Sequence, residues 1–187
     1  MCPQLIRHQH FLLYIMKQWH IIIGSALAAA LGVVVLHQPV SLALYKIKEP
    51  YFKCPLKTEF KKLVIRNDLK GSGDFGAKRK NGRSHSGIDI LGKIGTPVYA
   101  AKSGIAFPGN VSTGYGKYVM ICHPDGFQTI YGHLSNYVVR ATQKVRQGEL
   151  IGYVGKTGNA VYRSVQPHLH FEIRDKGDPR DPQPLMR

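Results

Sequence analysis

Residues 166–174 have the sequence QPHLHFEIR, in which His168 and His170 flank Leu169. On a β-strand, side chains two residues apart point to the same face of the sheet. If this segment is a strand, both imidazoles face one site while Leu169 packs behind them. Two histidines on one strand face are a typical metal-binding arrangement, although structural histidines with satisfied ring nitrogens also occur at this spacing.

Two other segments supply candidates for the same site. His85 and Asp89 are four residues apart in RSHSGIDI, and Gly87 between them disfavours a helix, so a loop entering a strand is predicted. His133 ends a strand-like run, whereas His123 lies beside a turn and is predicted to be structural.

Two imidazoles and one carboxylate would form the three-ligand set of a catalytic zinc site and leave a net charge of about +1. Such a site can polarise a carbonyl, stabilise an oxyanion and lower the pKa of a bound water towards about 7. Further histidines near that water could orient it or move its proton.

The downstream part of the chain is predicted to be mainly β. Gly and Pro are frequent, with 20 and 11 among 187 residues, and strand-like runs alternate with turns. The runs are residues 96–101, 117–123, 127–134, 150–154 and 169–174. Pro124-Asp125-Gly126 predicts a hairpin. We therefore expect a compact antiparallel β-sheet or sandwich over residues 61–187.

The N-terminal part is predicted to be a hydrophobic export helix. Ile21–Leu36 has no charge, and Arg7 and Lys17 precede it. This run is long for the apolar region of a signal peptide and short for a span of about 20 residues. Residues 1–43 are therefore a cleaved signal peptide or a retained membrane anchor, with a buried core helix as a third reading, and residues 44–60 are a linker.

The chain is strongly basic, with a formal net charge of +15. Residues 1–43 contain only Arg7 and Lys17 as charged groups, so the remainder holds +13 of that charge. A basic surface favours an anionic partner, such as nucleic acid, anionic lipid or an acidic wall polymer. The charges are scattered and no nucleic-acid motif accompanies them, so nucleic acid is not an expected partner.

The cysteines Cys2, Cys54 and Cys122 form no C-x-x-C pair, which disfavours a thiolate zinc site. Cys54 and Cys122 both lie in the part predicted to be exported. Spacing alone leaves open whether they form a disulfide.

Four segments in order resemble the lysostaphin-type (LytM-like) peptidoglycan endopeptidases. They are RNDLKGSGDFGAKRKNGRSHSGIDI (66–90), YGHL (131–134), GELIGYVG (148–155) and PHLHFE (167–172). The resemblance covers about residues 66–182, nearly the whole downstream domain. Four motifs in the right order are far more specific than any one of them.

The resemblance implies a zinc enzyme with a groove in its β-sheet that hydrolyses the peptide cross-links of bacterial peptidoglycan. Residue by residue, it implies that His85, Asp89 and His170 bind Zn²⁺. His133 and His168 would be the catalytic histidines that orient or activate water. A location in the periplasm or cell envelope follows, with inner-membrane anchoring if the N-terminal segment is retained, and we expect a monomer.

One departure from the family pattern concerns the segment before the H-x-H motif. Asn159–Gln166 is several residues longer than the usual link, which puts substrate preference in doubt. The alternative function is a non-catalytic wall-binding relative that activates another hydrolase. Such relatives typically lose ligand residues, whereas all five site positions are filled here.

Overall fold

The computed structural model describes residues 3–57, 63–79 and 82–187. Parts of three predicted segments therefore lie outside the described residues: 1–2 of the export segment, 58–60 of the linker, and 61–62 and 80–81 of the domain. The chain divides into two compact units, Met1–Leu44 and Tyr45–Arg187.

The helix α1 extends over Pro3–Lys48 and ends with Lys46 and Lys48 in its last turn. Basic side chains at this end complement the partial negative charge of the helix carboxyl terminus. Within the described residues, no helix combines the length and the apolar character needed to span a membrane. A role of this segment in export stays a prediction.

Strands dominate the unit that begins at Tyr45. Their bounds are β1 (Asn67–Asp68), β2 (Gly71–Ser72), β3 (Ile88–Leu91), β4 (Pro97–Tyr99), β5 (Gly104–Asn110), β6 (Lys117–Cys122), β7 (Phe127–Tyr137), β8 (Gln143–Val145), β9 (Leu150–Val154), β10 (His168–Asp175) and β11 (Asp178–Arg180). Short 3₁₀ turns follow at Gly158–Ala160 and Gln183–Leu185.

The main sheet is antiparallel and has the order β11-β10-β7-β6-β5-β8. β3 pairs with β10, and β9 pairs with both β4 and β7. The prediction of a mainly β, antiparallel fold is therefore confirmed. The predicted hairpin joins β6 to β7, and Gly126 in its turn has a positive φ of 88°, a conformation that glycine adopts at low cost.

The core lies against this sheet and alternates with polar positions along the strands. Leu169, Phe171 and Ile173 of β10 are fully buried, as expected for one face of a strand. The predicted linker also contributes, since Phe52 and Leu56 are buried in the same core. No disulfide joins Cys54 to Cys122.

The register of β10 places its histidines. His170 lies opposite Asp89 of β3 on one side and opposite Gly132 of β7 on the other. Directly opposed residues of antiparallel strands have neighbouring side chains on the same face. Gly87 allows the loop before β3 to approach β10, because a Cβ at this position would collide with the carbonyl oxygen of Phe171.

Candidate metal centre

Three ligand atoms from β3, β10 and the loop before β3 converge on one point. Asp89 Oδ1 lies 2.8 Å from His170 Nδ1 and 3.1 Å from His85 Nε2. The two ring nitrogens are 3.0 Å apart. All three side chains are buried, so water does not surround these atoms.

Two arrangements satisfy this triangle. With a proton on His170 Nδ1, its N–H donates to Asp89 Oδ1 at 2.8 Å and lies beside the lone pair of His85 Nε2 at 3.0 Å. With a cation at the centre, all three atoms present lone pairs to the cation. Ligand bonds of about 2.0–2.1 Å at tetrahedral angles put ligand atoms about 3.3 Å apart, close to the distances here. The residues present therefore fit a zinc ion.

The outer nitrogens of both candidate ligand histidines have fixed acceptors. His85 Nδ1 lies 2.9 Å from the carbonyl oxygen of Asp74, and His170 Nε2 lies 2.9 Å from Glu172 Oε1. An N–H donated to a carbonyl or carboxylate fixes the tautomer and directs the other nitrogen inwards. This outer arrangement is typical of histidines that bind metal.

Asp89 is held from its other side by two guanidinium groups. Its Oδ2 accepts hydrogen bonds from Arg66 Nη2 at 2.9 Å and from Arg79 Nη2 at 3.2 Å. Burial alone would raise the pKa of Asp89, but contacts with His170 and then His85 outweigh it and hold that pKa well below its usual range. The carboxylate therefore stays ionised.

Without a metal, His170 favours a proton. Burial lowers the pKa of His170, but hydrogen bonds with Asp89 and Glu172 outweigh it and raise that pKa to about 9. A metal ion must displace this proton, since only the neutral imidazole is a ligand. Metal and proton thus compete for one nitrogen.

Glu172 is a functional candidate that sequence reasoning missed. It is fully buried and accepts hydrogen bonds from His170, Ser86 Oγ, Tyr115 Oη at 2.8 Å and Arg174 Nε at 2.7 Å. Burial raises its pKa, but these contacts, led by His170, lower the pKa of Glu172 to about 2. The available signal was its spacing, because Glu172 is two residues after His170 on the same strand face.

His133 and His168 lie beside the ligand triangle. His133 Nδ1 is 2.9 Å from the carbonyl oxygen of Thr157, and His168 Nδ1 is 2.7 Å from that of Gln166. Each ring therefore donates its Nδ1–H to the backbone and keeps Nε2 as an acceptor. His168 Nε2 is 3.6 Å from Asp89 Oδ1, and the two rings are 4.9 Å apart between centroids.

Both of these histidines are held neutral. Burial, with the nearby charges of His170 and His168, lowers the pKa of His133 to about 3. Burial likewise lowers the pKa of His168. His133 also has a positive φ of 61°, a conformation that is costly outside glycine and is concentrated at functional sites.

All five residues singled out in the sequence thus meet in one place, on or beside the face of β10 that points away from the core. Such a cluster on an antiparallel sheet defines the class: a β-sheet protein with a candidate metal centre. The model of Peptidase family M23 matches residues 83–182, more than half of the chain, and the chain belongs to this family. The resemblance to lysostaphin-type peptidases is confirmed, and the family is one of zinc metallopeptidases.

Curated relatives are similar over this region. The chain is 48% identical over 101 residues to the DD-carboxypeptidase/endopeptidase Mpg of Neisseria meningitidis serogroup B, covering 54% of this chain and 22% of Mpg. It is 40% identical over 125 residues to the cell division protein DipM of Caulobacter vibrioides, covering 63% and 19%. The match therefore spans only about a fifth of these relatives' own length.

A solved structure supports the same fold. The catalytic domain of the antimicrobial peptidase lysostaphin from Staphylococcus simulans superimposes with a TM-score of 0.55 and 31% sequence identity. The alignment covers 67% of this chain and 92% of that domain. Almost the whole lysostaphin domain therefore has a counterpart here.

Proposed function

We propose that this protein is a zinc-dependent endopeptidase that hydrolyses peptide cross-links of bacterial peptidoglycan. His85, Asp89 and His170 hold the zinc ion, and His133 and His168 act on the attacking water. Residues 61–187 form the peptidase domain. Two Vibrio cholerae relatives, 34% and 35% identical to this chain, bear the name peptidoglycan DD-endopeptidase, which supports the substrate class.

One observation carries the proposal. The three candidate ligand atoms lie 2.8–3.1 Å apart in a buried triangle whose size fits a zinc ion. Two neutral histidines with accepting Nε2 atoms stand next to it. A purely structural cluster would need neither the convergence of three ligand atoms nor the second pair of histidines.

The metal would polarise the scissile carbonyl and lower the pKa of the attacking water when bound. His133 and His168 then take the role of bases, because their Nδ1–H groups are committed to the backbone and their Nε2 lone pairs are free. One Nε2 accepts a proton from water as the oxygen attacks the carbonyl carbon. That proton then passes from the same Nε2 to the amine nitrogen as the C–N bond breaks.

The cross-link that we propose as the substrate joins D-alanine to a diamino acid. The relative Mpg bears the name DD-carboxypeptidase/endopeptidase, which supports this choice over a glycine bridge.

Peptidoglycan lies outside the cytoplasm, so we also propose that residues 1–43 direct export, as a signal peptide or an anchor. Arg7 and Lys17 before the apolar run support this orientation.

The test is digestion of purified peptidoglycan from several wall types, with the released muropeptides identified by mass. We expect loss of cross-linked dimers and gain of the matching monomers, inhibition by a chelator and recovery on adding zinc. A protein that holds about one zinc per chain but releases no fragment from any wall would contradict the enzymatic role.

The alternative, a wall-binding activator without its own chemistry, has support in the relative DipM, which is named for cell division rather than hydrolysis. The two functions separate in one experiment. An activator would bind walls and raise the rate of a second hydrolase, and replacing His168 by alanine would leave that stimulation unchanged. An enzyme loses its own turnover with the same replacement.

A further inference from the structure

The segment 63–79 lies outside the family match at 83–182, yet it reaches the centre of the site. Arg66 is buried, with 5% of its surface exposed. Its Nε and Nη2 donate to Asp89 Oδ2 at 3.2 and 2.9 Å, and its Nη1 donates to Asp68 Oδ1 at 2.6 Å. A planar guanidinium thereby joins two carboxylates in a fixed geometry.

Asp68 continues the chain of contacts towards a catalytic histidine. Its Oδ2 accepts the backbone N–H of Gln166 at 3.0 Å, and the carbonyl oxygen of Gln166 accepts the Nδ1–H of His168 at 2.7 Å. Hydrogen bonds therefore run from Asp89 through Arg66, Asp68 and Gln166 to His168. The candidate metal ligand and the candidate base share one support.

We propose that Arg66 and Asp68 are positioning residues that hold Asp89 and His168 as one unit, with Asp68 clamping the loop before β10 at Gln166. This inference rests on the catalytic role proposed above for His168. The β1–β2 hairpin, which contains Asp68, would then hold these two site residues in position.

The loop that Asp68 clamps is fixed by packing at Ala160 and Val165, which are buried, whereas Val161 and Tyr162 between them are 64% and 61% exposed. The Asp68 contact adds a polar anchor at Gln166. Gln166, the last residue before Pro167, carries the carbonyl oxygen that accepts the Nδ1–H of His168 and so fixes the tautomer of that ring. A residue before proline is restricted to extended backbone, and the Asp68 contact fixes where that extended residue sits.

Charge explains why the clamp is a carboxylate. Arg66 and Arg79 both face Asp89, and Asp68 supplies a second negative charge to the buried guanidinium of Arg66. An uncompensated buried cation is costly. Asp68 therefore holds the Arg66 guanidinium between two carboxylates, so that Arg66 does not pair with Asp89 alone.

The test compares the Asp68→Asn protein with the wild type and with an Asp178→Asn control. Asp178 is an exposed aspartate on β11, so the control makes the same chemical change away from the network. For Asp68→Asn we expect zinc content near wild type, because Asp89 keeps Arg66 and Arg79. We expect kcat on a soluble cross-linked muropeptide to fall about 10–100-fold with KM changed much less.

A second readout needs no substrate. In the wild type, the Nδ1–H of His168 should give a protected imidazole signal in ¹H–¹⁵N spectra, identified by its loss in His168→Ala. In Asp68→Asn it should broaden or exchange with water, whereas in Asp178→Asn it should persist. If peptidoglycan hydrolysis itself fails in the wild type, this signal still decides whether Asp68 positions His168.

Three results would overturn the inference: unchanged kcat and imidazole signal in Asp68→Asn, loss of zinc in that variant with the His168 signal intact, or no protected signal in the wild type. If Asp68→Asn does not fold, Arg66→Lys replaces it. Lysine keeps the charge but loses the bidentate fork, so the same fall in kcat and loss of the His168 signal are expected, and their absence counts against the proposal.

Discussion

Two buried polar clusters in the unit 45–187 both contain histidine, and they are built differently. The metal cluster comprises His85, Asp89, His133, His168 and His170. The lysine cluster comprises Glu49, Lys102, Ser103, His123, Asp125 and Thr129. In the lysine cluster His123 Nδ1 faces the carbonyl oxygen of Ser103 and Nε2 faces Thr129 Oγ1, both at 2.9 Å.

In the lysine cluster, each charged or polar group has an ion-pair or hydrogen-bond partner. Lys102 Nζ lies 2.5 Å from Asp125 Oδ2, and its ammonium also lies 4.8 Å from the centre of the Phe52 ring. Glu49 accepts hydrogen bonds from the backbone and side chain of Ser103. Buried polar groups in stable folds are satisfied in this way. In the metal cluster three ligand atoms converge on one point, so convergence rather than burial distinguishes a reactive centre.

The largest expected effect is at the metal cluster. Asp89→Asn removes the charged ligand that balances two imidazoles and a cation. We expect zinc to fall from about one per chain to nearly none, and hydrolysis of peptidoglycan to fall below detection. Metal analysis of freshly purified protein is the measurement. A fully loaded Asp89→Asn protein would show that Asp89 is not a ligand.

The same replacement in the lysine cluster should have another consequence. Asp125→Asn leaves Lys102 buried without its counter-ion, and breaking a buried pair in this way costs about 3–5 kcal/mol of unfolding free energy. Zinc per folded chain and kcat should stay near wild type. Denaturant unfolding measures the loss. A normally stable Asp125→Asn protein with reduced zinc would remove the distinction between the two clusters.

A smaller effect is expected from the histidines that accept protons. His168→Ala or His133→Ala should lower kcat about 100-fold, the usual scale for lost acid–base assistance, while zinc stays bound. His123→Gln is the matched change in the lysine cluster and should leave kcat unchanged. Emptying of the zinc site by His168→Ala would instead exchange the roles of His168 and His170.

Much of this comparison could be anticipated from local sequence. The H-x-H spacing on a strand predicted the shared face of His168 and His170, and the turn beside His123 predicted a structural residue. The run 150–154 coincides with β9. β5 was missed because GIAFPGN contains two glycines and a proline, which are typical of turns.

The support around the metal cluster could not be read in the same way. Arg66 meets Asp89 from 23 residues away, and Asp68 meets Gln166 from 98 residues away. Such contacts depend on how the segment 63–79 packs beside β3, and no periodicity in the sequence predicts this packing. Glu172 was accessible through its spacing, but only the structure shows that four groups donate to it.

The smallest expected effect is the pH dependence of the stability that the lysine cluster contributes. Burial lowers the pKa of His123, and the charge of Lys102 adds to this, while the Ser103 carbonyl, Asp125 and Glu49 oppose it. The folded protein therefore holds His123 neutral at a pH where the unfolded chain, with a pKa of about 6.5, begins to bind a proton. Since the unfolded state then binds more protons, the contribution of His123 to stability is present above about pH 6.5 and is lost as pH falls towards the folded pKa.

His123→Gln isolates this contribution, because the other buried histidines titrate alike in both proteins. The variant should be less stable by about 1–3 kcal/mol at neutral pH, for the lost hydrogen bonds. Its deficit should be constant above about pH 7.5 and should shrink below about pH 6.5, by at most about 1.4 kcal/mol per pH unit. Denaturant unfolding of both proteins between pH 8 and 5 measures the gap. A gap that does not change over this range would mean that burial does not lower the pKa of His123 in the folded protein.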